Sequence, residues 1–238
     1  EDFISCCSYV DARGEPRGVF VGRKLEQFPA GFGTGCLVDS HPLPEVARSG
    51  LAVLAAFGYH GISEIEFIRD PRDGVYKLID VNTRVWKWIG LPIAAGVDLP
   101  WLAYTDALGR PETAPPQRQA LKWVYTKDYL KLAQSGQLAS PEAALTDAEW
   151  LALLRGATHG ESGVVEAVHW PDDPEPALRS RVHAVFRAHW RRREPPRLSR
   201  RARARRRCRE EVACGSAGAG GMRRSWQLTT RPSSSRSS

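Results

Sequence analysis

The sequence predicts an α+β fold, an antiparallel sheet with helices packed on it, because alternating runs and capped helical segments succeed one another along the chain. The clearest runs, 62–69 and 75–82, flank Asp70-Pro71-Arg72-Asp73-Gly74, whose Pro and Gly suit a reversal of direction. A second pair, 2–11 and 17–26, flanks Ala12-Arg13-Gly14-Glu15 and predicts an opening hairpin. Between the hairpins, a helical segment over 42–57 carries Val46, Val53, Leu54 and Phe57 on its core face and ends at Gly58. After them, Asp98-Leu99-Pro100 supplies a cap and a first-turn proline for a helix over 98–108 that closes at Gly109. Segment 111–119, rich in Pro and Gln, reads as a linker or surface loop. Beyond it, Ser140-Pro141-Glu142 and Thr146-Asp147-Ala148-Glu149 each start a helix, the second with capping-box spacing.

Side chains on a strand alternate in direction, so Glu64, Glu66 and Ile68 share one face of the first run. Leu78, Asp80 and Asn82 share one face of the second. A five-residue loop over 70–74 pairs Ile68 with Tyr76 and Glu64 with Asp80, placing carboxylates side by side. Such charges repel unless a cation lies between them, and Asn82 adds a neutral oxygen of the kind Mg²⁺ or Mn²⁺ accepts. An ordinary hairpin with a solvated polar face shows the same alternation, so these residues alone leave both readings open.

Asp80-Val81-Asn82-Thr83-Arg84, following a strand that carries Glu66-Phe67, resembles the metal-binding core of the ATP-grasp superfamily. The closest likeness is to the carboxylate–amine ligases, with biotin carboxylase and carbamoyl-phosphate synthetase as more distant relatives. The resemblance implies the C-terminal subdomain of an ATP-grasp domain. It implies that Glu66 and Asp80 bridge Mg²⁺ (or Mn²⁺) on the phosphates of ATP, that Asn82 is a further ligand, and that Arg84 holds an acyl phosphate. Asp80 stands where many members have Glu, which draws the backbone towards the metal or makes coordination monodentate. Glu64 rivals Glu66, and the family pattern of an acidic residue directly before an aromatic or apolar one favours Glu66.

Upstream, Arg23-Lys24 precedes Phe28-Pro29 and a glycine-rich stretch from Gly31 to Cys36 that reads as entering a helix. The spacing fits neither the P-loop nor the dinucleotide fingerprint. Within the resemblance it is similar to the segment that contacts the substrate carboxylate or γ-phosphate, with Lys24 as the point charge. A surface lysine at a strand end is the plainer alternative. Ile68 and Leu78, one step nearer the turn, would line the adenine pocket, and Trp86, Trp88 and Trp101 would pack beneath the site. The implied reaction is ATP-dependent activation of a small carboxylate as an acyl phosphate, attacked by an amine nucleophile. The run from Val164 to His169 with Asp172-Asp173-Pro174 resembles a terminal strand and turn of the same ligases. By the same comparison the segments that precede this part of the family domain are missing here, so the chain reads as a fragment.

Charge is unevenly distributed. The chain has a formal net charge of +7, but residues 191–238 hold fifteen Arg against three Glu, leaving residues 1–190 at −5. This stretch has few apolar residues beyond Leu198, Val212, Met222, Trp226 and Leu228, too few to offset the entropy of ordering it, so a disordered tail is expected. It reads as non-native or out-of-frame sequence more readily than as a nucleic-acid segment. The expected organisation is therefore a subdomain over 1–110, a helical extension over 111–190 and the Arg-rich tail over 191–238. Five Cys without metal-site spacing, including vicinal Cys6-Cys7 directed to opposite faces of a strand, fit a reducing cytoplasm. No apolar run is long enough to span a membrane. Besides the ligase, two other functions fit the sequence: a non-catalytic nucleotide-binding remnant and a nucleic-acid protein acting through its tail.

Overall fold

The computed structural model describes residues 3–31, 33–156, 160, 162–168 and 175, all within a compact unit spanning Glu1–Phe186. The tail expectation for 191–238, the Asp172-Asp173-Pro174 turn and His169 lie outside the described residues. Seven strands form one mixed sheet. They are β1 (Phe3–Val10), β2 (Pro16–Phe28), β3 (Thr34–Ser40), β4 (Gly61–Arg69), β5 (Tyr76–Asn82), β6 (Lys122–Val124) and β7 (Val164–Glu166), in the order β5-β4-β1-β2-β3-β6-β7. Among the described residues five α-helices accompany them: α1 (Pro44–Ala56), α2 (Gly90–Ala94), α3 (Leu99–Ala107), α4 (Thr126–Ser135) and α5 (Asp147–Leu154). Among the described residues no helix is long and apolar enough to cross a membrane.

The α+β class and both hairpins follow the alternation of the sequence. Two features of the sheet do not. It is not wholly antiparallel, because β6 and β7 pair in parallel, and both come from the segment read as a helical extension. The glycine-rich stretch enters no helix: Thr34 begins β3, which runs antiparallel to β2. Glycines there serve a strand reversal, with Gly31 at φ 92°.

Each sheet face carries a core. On one side α1 covers β1 and β4, burying Ile4, Cys6, Val21, Val46, Leu54, Ile65 and Phe67. On the other, the turn after β5 with α2 and α3 covers β1–β3, burying Cys7, Phe20, Val38, Trp86, Trp88, Leu91 and Leu99. Cys6 and Cys7 thus fall on opposite faces as their adjacency on a strand requires, and both are free thiols. Burial pushes the Cys6 thiol up to about 12. Phe57, expected on the core face of α1, is exposed because the helix ends one residue before it. Asp98 caps α3 as expected, accepting from Trp101 N at 3.0 Å, and the capping box of α5 is complete through Thr146 and Glu149. Pro141–Ala143 forms only a 3₁₀ turn. Segment 111–119 is a fitted strap: the Gln117 carboxamide accepts from Val21 N and donates to Val21 O, at 2.8 and 2.9 Å, satisfying backbone groups of β2.

Gly50 shows how closely α1 meets the sheet, since a Cβ there would lie 2.6 Å from Cys6 Sγ and 2.7 Å from Cys6 Cβ. Helix propensity favours Gly50→Ala by about 1 kcal/mol. The strand atom opposite cannot swing away, so overpacking should win, and the variant is expected to lose about 1–3 kcal/mol in urea unfolding.

Candidate functional site

Strand register assembles the site. Residues opposite one another in neighbouring strands share a face, so Asp80, Glu66, Ser5, Gly22 and Ser40 form one row across β5, β4, β1, β2 and β3. The adjacent row holds Asn82, Glu64, Cys7 and Phe20. Lys24 stands one row away, opposite Phe3, which is itself opposite Ile68. In the row of Glu66, Ser5 and Gly22 present almost no side chain, so the lysine stem can lie over the sheet towards Glu66. A Cβ at Gly22 would meet the Trp88 ring at 3.1 Å, so that position is closed to larger residues.

The hairpin register differs from the expected one. The turn holds six residues, 70–75, so Ile68 pairs with Lys77 rather than Tyr76, and a bulge between Glu66 and Phe67 shifts the ladder once more, so that Glu64 pairs with Asn82 rather than Asp80. The opposed carboxylates are therefore those of Glu66 and Asp80. The turn puts Leu78 opposite Phe67, on the α1 side of the sheet, and the bulge separates it from the face of Asp80 and Asn82. Ile68 stays on the face of Glu66. A bulge leaves little trace in the alternation, because Ile79 is as apolar as its neighbours.

Lys24 is not a surface lysine. Its side chain is 5% exposed and its Nζ donates to Glu66 Oε2 at 2.6 Å, a charge-assisted contact with a carboxylate 18% exposed. Beside it, Glu64 is buried and accepts from Ser5 Oγ at 3.2 Å. Burial pushes the Glu64 carboxyl up to about 7; Lys24 opposes the shift, Glu66 adds to it, and the Ser5 hydrogen bond and Arg84 oppose it. On the edge strand the arrangement opens to solvent. Asp80 and Arg84 are exposed and Asn82 is half-buried, with Asn82 Nδ2 donating to Asp80 Oδ2 at 3.1 Å. Arg84 Nη1 donates to Val85 O at 3.2 Å. Trp86 and Trp88 pack beneath this face edge to face, with centroids 5.3 Å apart. Trp101 does not: it is 49% exposed on α3, where its indole donates to Glu112.

Among the described residues no three His, Cys, Asp or Glu side chains converge as a complete metal cage. Two carboxylates and one amide oxygen are instead a partial set of hard donors. Mg²⁺ uses sets of that kind, taking one or two carboxylates and completing its shell with phosphate oxygens and water. The residues present fit such an ion on that basis. The contact of Ser5 with Glu64 could not be read from local pattern, since it joins positions 59 residues apart.

No protein-family model and no curated protein sequence matches the chain. Among solved structures it is similar to the biotin carboxylase domain of Hydrogenobacter thermophilus 2-oxoglutarate carboxylase in complex with MgADP, ADP and bicarbonate. There the identity is 19% and the TM-score 0.40, over 51% of this chain and 28% of that one. Campylobacter jejuni biotin carboxylase gives 18% and 0.35, over 41% and 23%. Rhizobium etli pyruvate carboxylase gives 19% and 0.36, over 41% and 9%. The chain thus spans less than a third of the length of each of these relatives. Each similarity is to part of a longer chain.

The buried Glu64 has a measurable consequence. Its folded-state pKa lies above the ordinary 4.5, so folded and unfolded chains hold the proton alike only below that value. As pH rises from about 4.5 to about 7 the unfolded chain releases the proton while the folded one keeps it, and stability should fall by up to about 3 kcal/mol before levelling off. Urea unfolding across this window should show the slope in the unmodified protein and a flatter profile in Glu64→Gln.

Proposed function

We propose that this chain carries the metal- and phosphate-binding part of an ATP-grasp ligase that activates a small carboxylate as an acyl phosphate for attack by an amine. The observation that carries the reading is the opposition of Glu66 and Asp80 across β4 and β5, with Asn82 two residues on and Lys24 against Glu66. In this reading Glu66, Asp80 and Asn82 hold Mg²⁺ or Mn²⁺, and Ile68 contributes to the adenine wall. The bound ion neutralises phosphate charge. Lys24 and Arg84 receive the negative charge that develops as the phosphoryl group moves, in a pocket whose floor is already dry. Arg84, planar and forked, can grip a phosphoryl or acyl-phosphate group at two oxygens. The Trp86 and Trp88 packing fixes the backbone that leads away from Arg84. A cytoplasmic setting belongs to the same proposal, since ATP is its substrate.

The test separates function from stability. Asp80 is exposed and Asn82 half-buried, so Asp80→Ala and Asn82→Ala should change unfolding free energy by no more than about 0.5 kcal/mol. The same substitutions should weaken Mg²⁺·ATP binding at least about tenfold in calorimetry, since each removes a metal ligand. Arg84→Lys should bind Mg²⁺·ATP nearly as the unmodified chain does and fail in acyl transfer, read as ADP release. Unchanged nucleotide binding in both Asp80→Ala and Asn82→Ala would overturn the assignment.

A further inference from the structure

We infer that Lys24 is the site's own counter-ion, which neutralises Glu66 while no divalent ion is bound and passes to the nucleotide phosphates when Mg²⁺ takes Glu66. The inference rests on the ATP-grasp reading above and resolves a conflict within it. A lysine meant for phosphate is found instead on a carboxylate meant for metal, 2.6 Å from Oε2.

The two cations compete for one place. Mg²⁺ needs its carboxylate oxygens at about 2.0–2.1 Å in near-octahedral array, and dehydrates reluctantly. An ammonium already seated on the same carboxylate, with its side chain 5% exposed, leaves neither room for hydrating water nor solvent to screen the repulsion between the ions. Lys24 has somewhere to go. It lines a cavity of about 270 Å³ with Phe3, Gln27 and Gly31, so its head group can leave Glu66 without rebuilding the sheet. The other carboxylate on that wall, Glu26, has both oxygens engaged, by Ala139 N at 3.0 Å and Ser140 N at 2.8 Å. Phosphate oxygens are then the natural new partner for a four-carbon stem ending in three donors. Metal alone must displace the lysine without recompense, whereas metal arriving with a nucleotide brings the lysine its next partner. The site should therefore take Mg²⁺ and nucleotide together and bind free metal poorly.

Two variants probe the exchange from opposite sides in the full chain, with Mn²⁺ as the metal probe followed by its electron paramagnetic resonance signal. In Lys24→Met the competitor is gone, and free Mn²⁺ should bind at least about tenfold tighter than to the unmodified chain, while Mn²⁺·ADP binds more weakly. In Glu66→Gln, which keeps side-chain shape, the lysine is released, and ADP in the presence of a chelator should bind several-fold tighter. Free Mn²⁺ binding that is equal or weaker in Lys24→Met, with Mn²⁺·ADP binding intact in the unmodified chain, overturns the exchange and leaves the nucleotide site standing. No Mn²⁺·ADP binding by the unmodified chain overturns both. Should Lys24→Met not fold, the Glu66→Gln measurement decides alone: unchanged chelated-ADP affinity refutes the exchange.

Discussion

Burying charge on a sheet face is the constraint on which the rest of this structure depends. Lys24 and Glu66 come from β2 and β4, which are separated by β1, and they meet only if both registers with β1 are held. A slip of one residue in either would send one of them to the α1 side of the sheet, into the apolar cluster of Ile4, Val21 and Ile65. A buried ion pair adds little net stability, because desolvation consumes most of the attraction, but separating its members is costly. Its effect is therefore to fix the register. Ser5 and Gly22 belong to the same constraint, because larger residues between the partners would hold them apart.

That dependence explains what could be read in advance. Hairpin strands and helices α3 and α5 were legible because their signals are local: alternation, Asp98 as a cap, Thr146 with Glu149 three residues on. Strand β7 lies within the run from Val164 that resembled a terminal strand, whereas β6, three residues long, gains its identity from the neighbours it pairs with and not from its own pattern. Helix α4 starts at Thr126 after Tyr125, which supplies no side-chain cap, and a proline-poor polar stretch gave no start signal to read. The direction of the β6–β7 pair is likewise a property of the whole chain path.

Within the site, the residue types were legible and their pairing was not. Glu66, Asp80 and Asn82 stood out because polar side chains at two-residue spacing, Glu64 and Glu66 on β4 and Asp80 and Asn82 on β5, alternate with apolar Ile65, Phe67 and Val81. The six-residue turn and the bulge at Glu66 and Phe67 together reassigned which carboxylates face each other and left Leu78 on the opposite side. Lys24 read as a point charge for phosphate or carboxylate, with a surface lysine as the plainer alternative; its burial against Glu66 comes from a partner 42 residues away. Trp101 shows the converse, since a large aromatic on a helix next to the core is expected inside, yet α3 buries Leu99 and Leu102 and turns Trp101 outward.

The site is graded in depth, and the gradient divides the work. Lys24 and Glu64 lie beneath the surface, where low dielectric strengthens each interaction and makes every unpaired charge expensive. Asp80, Asn82 and Arg84 sit at the open edge strand, where exchanging a water or a side-chain amide for a ligand costs little. Glu66 is between them in exposure and in position, opposite Asp80 on one side and against Lys24 on the other. A group so placed is the one point where an incoming cation and the protein's internal charge must exchange. Chemistry at the edge is in this way tied to the register of strands in the core, and a change at Ser5 or Gly22 would reach it without touching any ligand.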